Sequence, residues 1–289
     1  MKVFTEEILI ALGDQRGKMS VRIWEPESVR ANVFCVHGFA GSSADFEYLA
    51  PFLAGNGYRV ICPDMIGRGK SAYFGDQKFY TLEAYLRTLG HLAQKHHSKT
   101  SHLIGNSWGA IIGLVFASVI RMKAGKVILN DPCLQSSGQL DNLRQKIVDI
   151  SEASFDSLDD VVEYLHEAYQ INRTFPRERL EEIGRNKFHK SGEAWQLAID
   201  PAVIDGLKSH IGMEYDVYDH LERLEVPAML LYGKTSPYYE PDRLDPLVAR
   251  RRHLTCVSDL DGGHAIPMLT AHTALLVLGF LEAQQPGLD

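Results

Sequence analysis

The sequence lacks the features that mark metal, redox and cofactor proteins. It has four cysteines in 289 residues, none in a Cys-x-x-Cys pair, and it has no His-Glu-x-x-His spacing that would bind zinc. A Gly-x-Gly-x-x-Gly dinucleotide fingerprint is also missing. We therefore expect a protein with no metal and no cofactor, whose cysteines are reduced and mostly buried.

Positive charge and long apolar runs are also scarce. The 30 Lys and Arg residues are outnumbered by 37 Asp and Glu residues, and the net charge of -7 argues against binding to nucleic acid through its phosphates. No apolar run reaches the roughly 18 to 20 residues of a membrane span. The N-terminal residues lack the basic-then-apolar order of a secretory signal. We expect a cytoplasmic protein with no membrane span, as a monomer or homodimer.

Short apolar runs bounded by turn residues predict eight strands. They are Ile8–Ala11, Met19–Trp24, Val33–Val36, Arg59–Cys62, Ser101–Ile104, Lys126–Leu129, Ala228–Tyr232 and Leu254–Ser258. Helical patterns separate most of them, which is typical of a largely parallel α/β sheet. The connector between the first two strands is too short for a crossover, so these two should form an antiparallel hairpin.

The alternation of strands and helices stops in residues 134–224. This stretch contains amphipathic helical patterns, for example in residues 158–166, and no convincing strand signal. Alternation resumes at Val226. We predict a core domain formed by residues 1–133 and 225–289, with residues 134–224 as a helical insertion between the sixth and seventh strands.

The sharpest chemical signal is a Gly-x-Ser-x-Gly motif at Gly105–Gly109, which follows an apolar strand and opens a helical run. A serine on such a tight turn stands exposed at the carboxyl edge of the sheet, and small neighbours are needed to fit it there. The N–H groups of the following helical turn face developing negative charge. We predict Ser107 as a nucleophile.

Two further loops supply partners for this serine. The strand Val33–Val36 runs into a glycine-rich loop at His37–Gly41, and the N–H groups of Phe39 and Trp108 would form an oxyanion hole. His37 is expected to order that loop by hydrogen bonding. A serine nucleophile also needs a general base, and His264 follows the last predicted strand at the same edge of the sheet.

Four motifs in this order resemble those of the α/β-hydrolase superfamily. They are the oxyanion loop His37–Phe39, the Asp-x-x-Gly-x-Gly-x-Ser loop Asp64–Ser71, the elbow Gly105–Gly109 and the histidine loop Gly262–His264. The resemblance covers nearly all of the chain outside the insertion. It implies an α/β-hydrolase fold, a catalytic Ser-acid-His triad, and a helical cap that covers the active site and shapes the substrate pocket.

The triad acid is where the sequence departs from that family. The family's usual acid lies three or four residues after the glycine that ends the seventh strand, but Gly233 is followed by Lys234-Thr235-Ser236-Pro237. An alternative position after the sixth strand is filled by Asp131, which we take as the predicted acid. Glu240 and Asp242 remain the alternatives.

Together these features predict a serine hydrolase that cleaves a carboxylic ester or related acyl bond of a small-molecule substrate. Aromatic residues could line the pocket or belong to the core; they are Phe39, Trp108, Tyr169, Phe188 and Trp195. The Gly-Asn-Ser elbow also resembles that of carbon–carbon bond hydrolases acting on vinylogous diketones. A third reading, motivated by the missing acid after Gly233, is a hydrolase-fold ligand-binding protein with weak activity.

Overall fold

The computed structural model describes residues 1–120, 122, 125–135, 138–169, 175–209 and 215–284, so parts of the predicted insertion and eight residues of the predicted core (121, 123, 124 and 285–289) lie outside the description. Ten strands run in chain order: β1 (Lys2–Leu12), β2 (Gln15–Glu25), β3 (Ala31–Val36), β4 (Tyr58–Pro63), β5 (Ser101–Asn106), β6 (Val127–Asn130), β7 (Phe188–Ser191), β8 (Ala194–Leu197), β9 (Ala228–Gly233) and β10 (Leu254–Leu260).

The helices of the described residues are α1 (Leu49–Gly55), α2 (Leu82–Lys95), α3 (Trp108–Val119), α4 (Gly138–Glu152), α5 (Leu158–Tyr169), α6 (Arg177–Lys187), α7 (Pro201–Ser209), α8 (Tyr218–Glu222), α9 (Pro241–Arg250) and α10 (Ala271–Glu282). In the described part of the chain, no helix is both long and apolar enough to cross a membrane.

All eight predicted strands form one sheet, in the order β1-β2-β4-β3-β5-β6-β9-β10. The predicted β1–β2 hairpin is confirmed, β2 pairs antiparallel with β4, and the remaining neighbours are parallel. Every residue of β3 and of β9 is buried, because helices cover both faces of this part of the sheet. The mostly parallel eight-stranded α/β sheet is therefore as predicted.

The register of the central strands places their carboxyl ends side by side. Val36 at the end of β3 lies opposite Gly105 of β5, Asn106 lies opposite Asn130 of β6, and Asn130 lies opposite Leu231 of β9. The loops that follow these four strands therefore leave the sheet at one edge, which is where ligands bind in parallel α/β folds.

Helices α1 and α10 belong to the hydrophobic cluster on one face of the sheet. Helices α2, α3 and α9 belong to the hydrophobic cluster on the other face. The stretch between β6 and β9 contains α4–α8, and it also contains a two-stranded antiparallel sheet of β7 and β8. The prediction of no strand in this stretch was therefore wrong. These strands have only four residues each, with exposed polar residues and a tight turn, so their pattern is too short to stand out from the helices around it.

The boundary of the insertion also differs in packing from the prediction. Helix α8 falls within residues 134–224, but Tyr218 and Leu221 are buried in the same cluster as the core helix α3. By contrast, Val161, Leu180 and Phe188 of α5, α6 and β7 share a separate buried cluster. That cluster also includes Ala44 and Leu269 of the sheet domain, so the insertion packs on the sheet domain there as well as through its last helix.

The last helix of the chain is held by a buried lysine. The Nζ of Lys126, the residue before β6, donates hydrogen bonds to the carbonyl oxygens of Phe280 at 2.7 Å, Leu281 at 3.1 Å and Ala283 at 2.5 Å. These carbonyls at the C-terminal end of α10 have no partner within the helix.

We expect Lys126→Met to lower the free energy of unfolding by about 1–3 kcal/mol, because it removes a charged donor from these carbonyls. Urea denaturation measures the change. The control Lys99→Met, at an exposed position, should change stability by less than about 0.5 kcal/mol. Equal effects of the two substitutions would contradict the role given to Lys126.

Candidate active site

Ser107 occupies a strained turn between β5 and α3. Its φ of 52° and ψ of -114° lie outside the regions that L-residues favour. Close backbone contacts hold this turn: a Cβ on Gly109 would lie 2.2 Å from the carbonyl oxygen of Val36, and one on Gly105 would lie 2.4 Å from the Cα of Ala110. Only glycine fits at these two positions, as the motif predicted.

Three side chains from different loops come together at Ser107. The hydroxyl oxygen of Ser107 lies 2.7 Å from Nε2 of His264, which follows β10. The other ring nitrogen of His264, Nδ1, lies 3.1 Å from Oδ1 of Asp131, which follows β6. The structure therefore brings the predicted nucleophile, base and acid within reach of one another.

Asp131 is fully buried, and a backbone hydrogen bond holds it in position. Its N–H donates to the carbonyl oxygen of Leu231 at 2.8 Å, and its backbone has a φ of 52°. Among the described residues, Ser107 and Asp131 are the two non-glycine residues with positive φ. Strain of this kind concentrates at functional sites, which supports a role for both residues.

The alternative acids lie elsewhere. Glu240 accepts a hydrogen bond from the hydroxyl of Tyr218 at 2.9 Å, and Asp242 is exposed in the first turn of α9. Asp131 is thus the candidate acid that lies beside His264.

The loop after β9 has a role that the sequence did not reveal. The hydroxyl of Ser236 donates to Oδ1 of Asp131 at 2.7 Å, and the ring of Tyr238 stands edge-on to the His264 ring with centroids 4.6 Å apart. Burial raises the pKa of Tyr238 to about 12. The loop after β9 has no carboxylate at the family's usual position, and its Ser236 instead binds Asp131, which follows the neighbouring strand β6. In the sequence, the missing carboxylate after Gly233 was the only sign of this arrangement.

The oxyanion loop is ordered by His37, as expected. Met65 donates its N–H to Nε2 of His37 at 2.9 Å, so Nε2 accepts and Nδ1 carries the proton toward the Gly38 carbonyl oxygen at 2.7 Å. Burial lowers the pKa of His37, which favours this neutral form. His37 thus binds its own loop to the loop after β4.

A buried arginine supports the same loop. Arg68 is 1% exposed, its Nε donates to the carbonyl oxygen of Phe39 at 3.0 Å, and its Nη1 donates to that of Ile66 at 2.9 Å. The guanidinium also lies over the rings of Phe39, at 4.8 Å, and Tyr85, at 5.1 Å. The sequence did not indicate that Arg68 is buried or that it supports this loop, because an arginine between two glycines is typical of an exposed loop.

A cavity of about 590 Å³ opens beside Ser107. Its wall is largely apolar and includes Phe39, Trp108, Ile111, Leu140, Leu143, Ile147, Val203 and Leu207. Of the aromatic residues considered in the sequence, Phe39 and Trp108 line this cavity. Phe188 instead packs against Phe155, with ring centroids 5.6 Å apart, in the core of the insertion.

No three His, Cys, Asp or Glu side chains among the described residues are grouped so that they could hold a metal ion. Cys133 lines the large cavity, but burial raises the pKa of its thiol to about 11. The described groups whose geometry suits nucleophilic chemistry are therefore Ser107, His264 and Asp131.

The chain is similar to several known proteins. A family described as "Alpha/beta hydrolase family" matches residues 33–277. A 3-hydroxybutyrate-oligomer hydrolase of Cupriavidus necator is 26% identical over 263 residues, covering 86% of this chain and 87% of the relative. A proline iminopeptidase of Lactobacillus delbrueckii subsp. lactis is 27% identical over 238 residues, covering 76% of this chain and 78% of the relative.

Solved structures show the same fold. An alpha/beta hydrolase from Novosphingobium aromaticivorans superposes with a TM-score of 0.79, at 22% identity, over 96% of this chain and 98% of the other.

We expect Ser236→Ala to reduce kcat about tenfold, because Asp131 loses a hydrogen bond that holds it beside His264. Steady-state kinetics measures the change. Ser236→Thr, which keeps the hydroxyl, should restore the rate; an unchanged kcat in Ser236→Ala would contradict the positioning role.

Proposed function

The chain belongs to the alpha/beta hydrolase family, and on that premise we propose that it is a serine hydrolase that cleaves a carboxylic ester or related acyl bond through an acyl-enzyme. The observation that carries this proposal is the alignment of Ser107 Oγ, His264 and Asp131 at 2.7 Å and 3.1 Å. Such an arrangement activates a serine hydroxyl at neutral pH.

The proposed reaction begins with proton transfer. His264 Nε2 takes the proton of Ser107 as Oγ attacks the acyl carbon, and buried Asp131 stabilises the imidazolium and fixes its orientation. The same proton then goes to the leaving group. In the second half of the reaction, His264 takes a proton from water, the hydroxide attacks the acyl carbon, and Ser107 is released with its proton restored.

The negative charge that develops on the substrate oxygen is assigned to the N–H groups of Phe39 and Trp108. Trp108 is the first residue of α3, where backbone N–H groups have no partner inside the helix. Phe39 is positioned by the bonds of His37 and Arg68 on either side of it. Each such donor typically contributes about 3 to 4 kcal/mol to the transition state.

The identity of the bond is inferred from the relatives and from the cavity. The name of the Cupriavidus relative describes hydrolysis of an oligomer of a hydroxy acid. An apolar cavity of about 590 Å³ suits a small to medium acyl chain. We propose that the insertion acts as a cap, because Leu140, Ile147 and Leu207 contribute to the wall of this cavity from α4 and α7.

The two other readings of the sequence are less well supported. The alternative of a ligand-binding protein depended on the missing acid after Gly233. A carboxylate, that of Asp131, does lie 3.1 Å from His264, which weakens the case for this alternative. Hydrolysis of a carbon–carbon bond would use the same three residues, so a vinylogous diketone belongs in the substrate screen beside esters.

A fluorophosphonate probe tests the nucleophile. We expect the protein to be labelled at Ser107, identified by peptide mapping, because the activated hydroxyl displaces fluoride from phosphorus. Ser107→Ala should abolish both labelling and ester hydrolysis, while Ser118→Ala, at a serine outside the site, should leave both unchanged. Undiminished turnover by Ser107→Ala would rule out the proposed mechanism.

Three substitutions locate the acid. Asp131→Asn should lower kcat by about four orders of magnitude, because the neutral amide no longer fixes the required tautomer of His264 or stabilises its charge. Glu240→Gln and Asp242→Asn serve as matched controls and should retain nearly full rates. A large loss in either control with an active Asp131→Asn would transfer the role to that carboxylate.

A further inference from the structure

A second, smaller cavity adjoins the same site. It has a volume of about 110 Å³, the space of roughly four water molecules. Its wall includes His264, Asn106, Asp45 and Tyr169, and it is completed by Ala168 and by residues 265–269.

Each residue of the hydrogen-bonded pair Ser107 and His264 lines a different cavity. Among the described residues, Ser107 contributes to the wall of the large cavity and His264 to that of the small one. Phe39 and Trp108, which carry the assigned oxyanion donors, also line the large cavity. A substrate attacked at Ser107 would therefore have the large cavity beside the nucleophile and the small cavity beside the base.

Proton transfer decides which part of the substrate lies in which cavity. The oxygen of the leaving alcohol must come within hydrogen-bond reach of Nε2 of His264 to receive its proton. We propose that the small cavity beside His264 is the leaving-group subsite, and that the preferred substrates are esters of a medium-length apolar acid with a small, uncharged, polar alcohol. This inference rests on the proposed function.

The chemical step is balanced by the residues named. The bond between Ser107 Oγ and the acyl carbon forms, and the bond between that carbon and the alcohol oxygen breaks. The proton of Ser107 passes through His264 to the alcohol, which leaves from the small cavity. Water can then occupy the vacated space beside His264 and hydrolyse the acyl-enzyme.

The polar wall of the small cavity indicates the character of the alcohol. Oδ1 of Asp45 accepts hydrogen bonds from the hydroxyl of Tyr169 at 2.7 Å and from Nζ of Lys187 at 3.0 Å. Because the charges of Asp45 and Lys187 offset each other, a leaving group with its own charge would be left uncompensated in this confined space. An uncharged hydroxyl group is accommodated instead.

The orientation of Asn106 supports the same conclusion. Nδ2 of Asn130 donates both to the carbonyl oxygen of Ile266 and to Oδ1 of Asn106, each at 2.7 Å. The bond to Ile266 identifies the nitrogen of Asn130, so the atom of Asn106 that faces it must be the oxygen. The NH2 end of Asn106 is then the end that can donate to a polar alcohol.

Two isomeric esters test the assignment of the cavities. Ethyl octanoate has a long acid and a short alcohol, and octyl acetate has the reverse. We expect kcat/KM to be at least about tenfold higher for ethyl octanoate, since octanol exceeds the small cavity. Comparing 2-hydroxyethyl octanoate with propyl octanoate, which has nearly the same shape, tests polarity; the hydroxyethyl ester should be cleaved several-fold faster.

Matched substitutions fill one cavity each. Ala168→Leu, at an exposed position on the rim of the small cavity, should lower kcat/KM for 2-hydroxyethyl octanoate more than for methyl octanoate. Ile147→Phe, in the large cavity, should instead lower the rate for octanoate esters relative to butyrate esters, whatever the alcohol. Thermal unfolding and fluorophosphonate labelling check that both variants are folded and have an intact nucleophile.

The outcomes separate this inference from the proposed function. Suppose that Ser107 is labelled, but octyl acetate is cleaved as fast as ethyl octanoate or neither ester is cleaved. The subsite assignment is then wrong, while Ser107 remains the proposed nucleophile. Faster cleavage of propyl than of hydroxyethyl octanoate would overturn the polar character of the subsite. If Ser107 is not labelled and no ester is cleaved, the proposed function and the subsite both fail.

Discussion

The site depends on one close approach of two backbone segments. Gly109, in the first turn of α3, packs against the carbonyl groups of Val36 and His37 at the end of β3, where a Cβ would lie 2.2 Å and 2.4 Å from their oxygens. This contact sets the start of α3 beside the oxyanion loop. It also fixes the turn at Ser107, whose positive φ would otherwise relax. Nucleophile and assigned oxyanion donors are therefore positioned by the same packing.

The parallel sheet explains why the acid can come from β6. Asn130 of β6 lies opposite Leu231 of β9, so the loops after these strands leave the same edge next to each other. A carboxylate on either loop can reach a histidine in the loop after β10. In this chain Asp131 lies 3.1 Å from His264, and the neighbouring loop supplies the hydroxyl of Ser236 that binds it. One loop thus carries the carboxylate, and the neighbouring loop carries the hydroxyl that binds it.

Buried polar groups stabilise the loops around the reacting atoms. His37 and Arg68 both bind the oxyanion loop, and Asp45 of the core is held by Tyr169 and Lys187 of the insertion. Buried polar groups are stable only when their hydrogen bonds are made, so these contacts favour a single arrangement of the loops. Asp45 and Tyr169 also line the small cavity, so this contact between core and insertion shapes part of its wall.

Local patterns in the amino-acid sequence were enough to predict the sheet and to single out Ser107 as a candidate residue. Apolar runs between turns predicted all eight strands of the sheet, and glycines around Ser107 marked the tight turn that exposes it. Contacts between distant segments could be read only from the folded chain. The tertiary structure placed Asp131 rather than Glu240 or Asp242 beside His264, buried Arg68 beneath Phe39, and brought Ser236 to Asp131 across 105 positions. It also formed the β7–β8 hairpin and divided the space around Ser107 and His264 into two cavities, since a cavity is shaped by residues that have no common pattern along the chain.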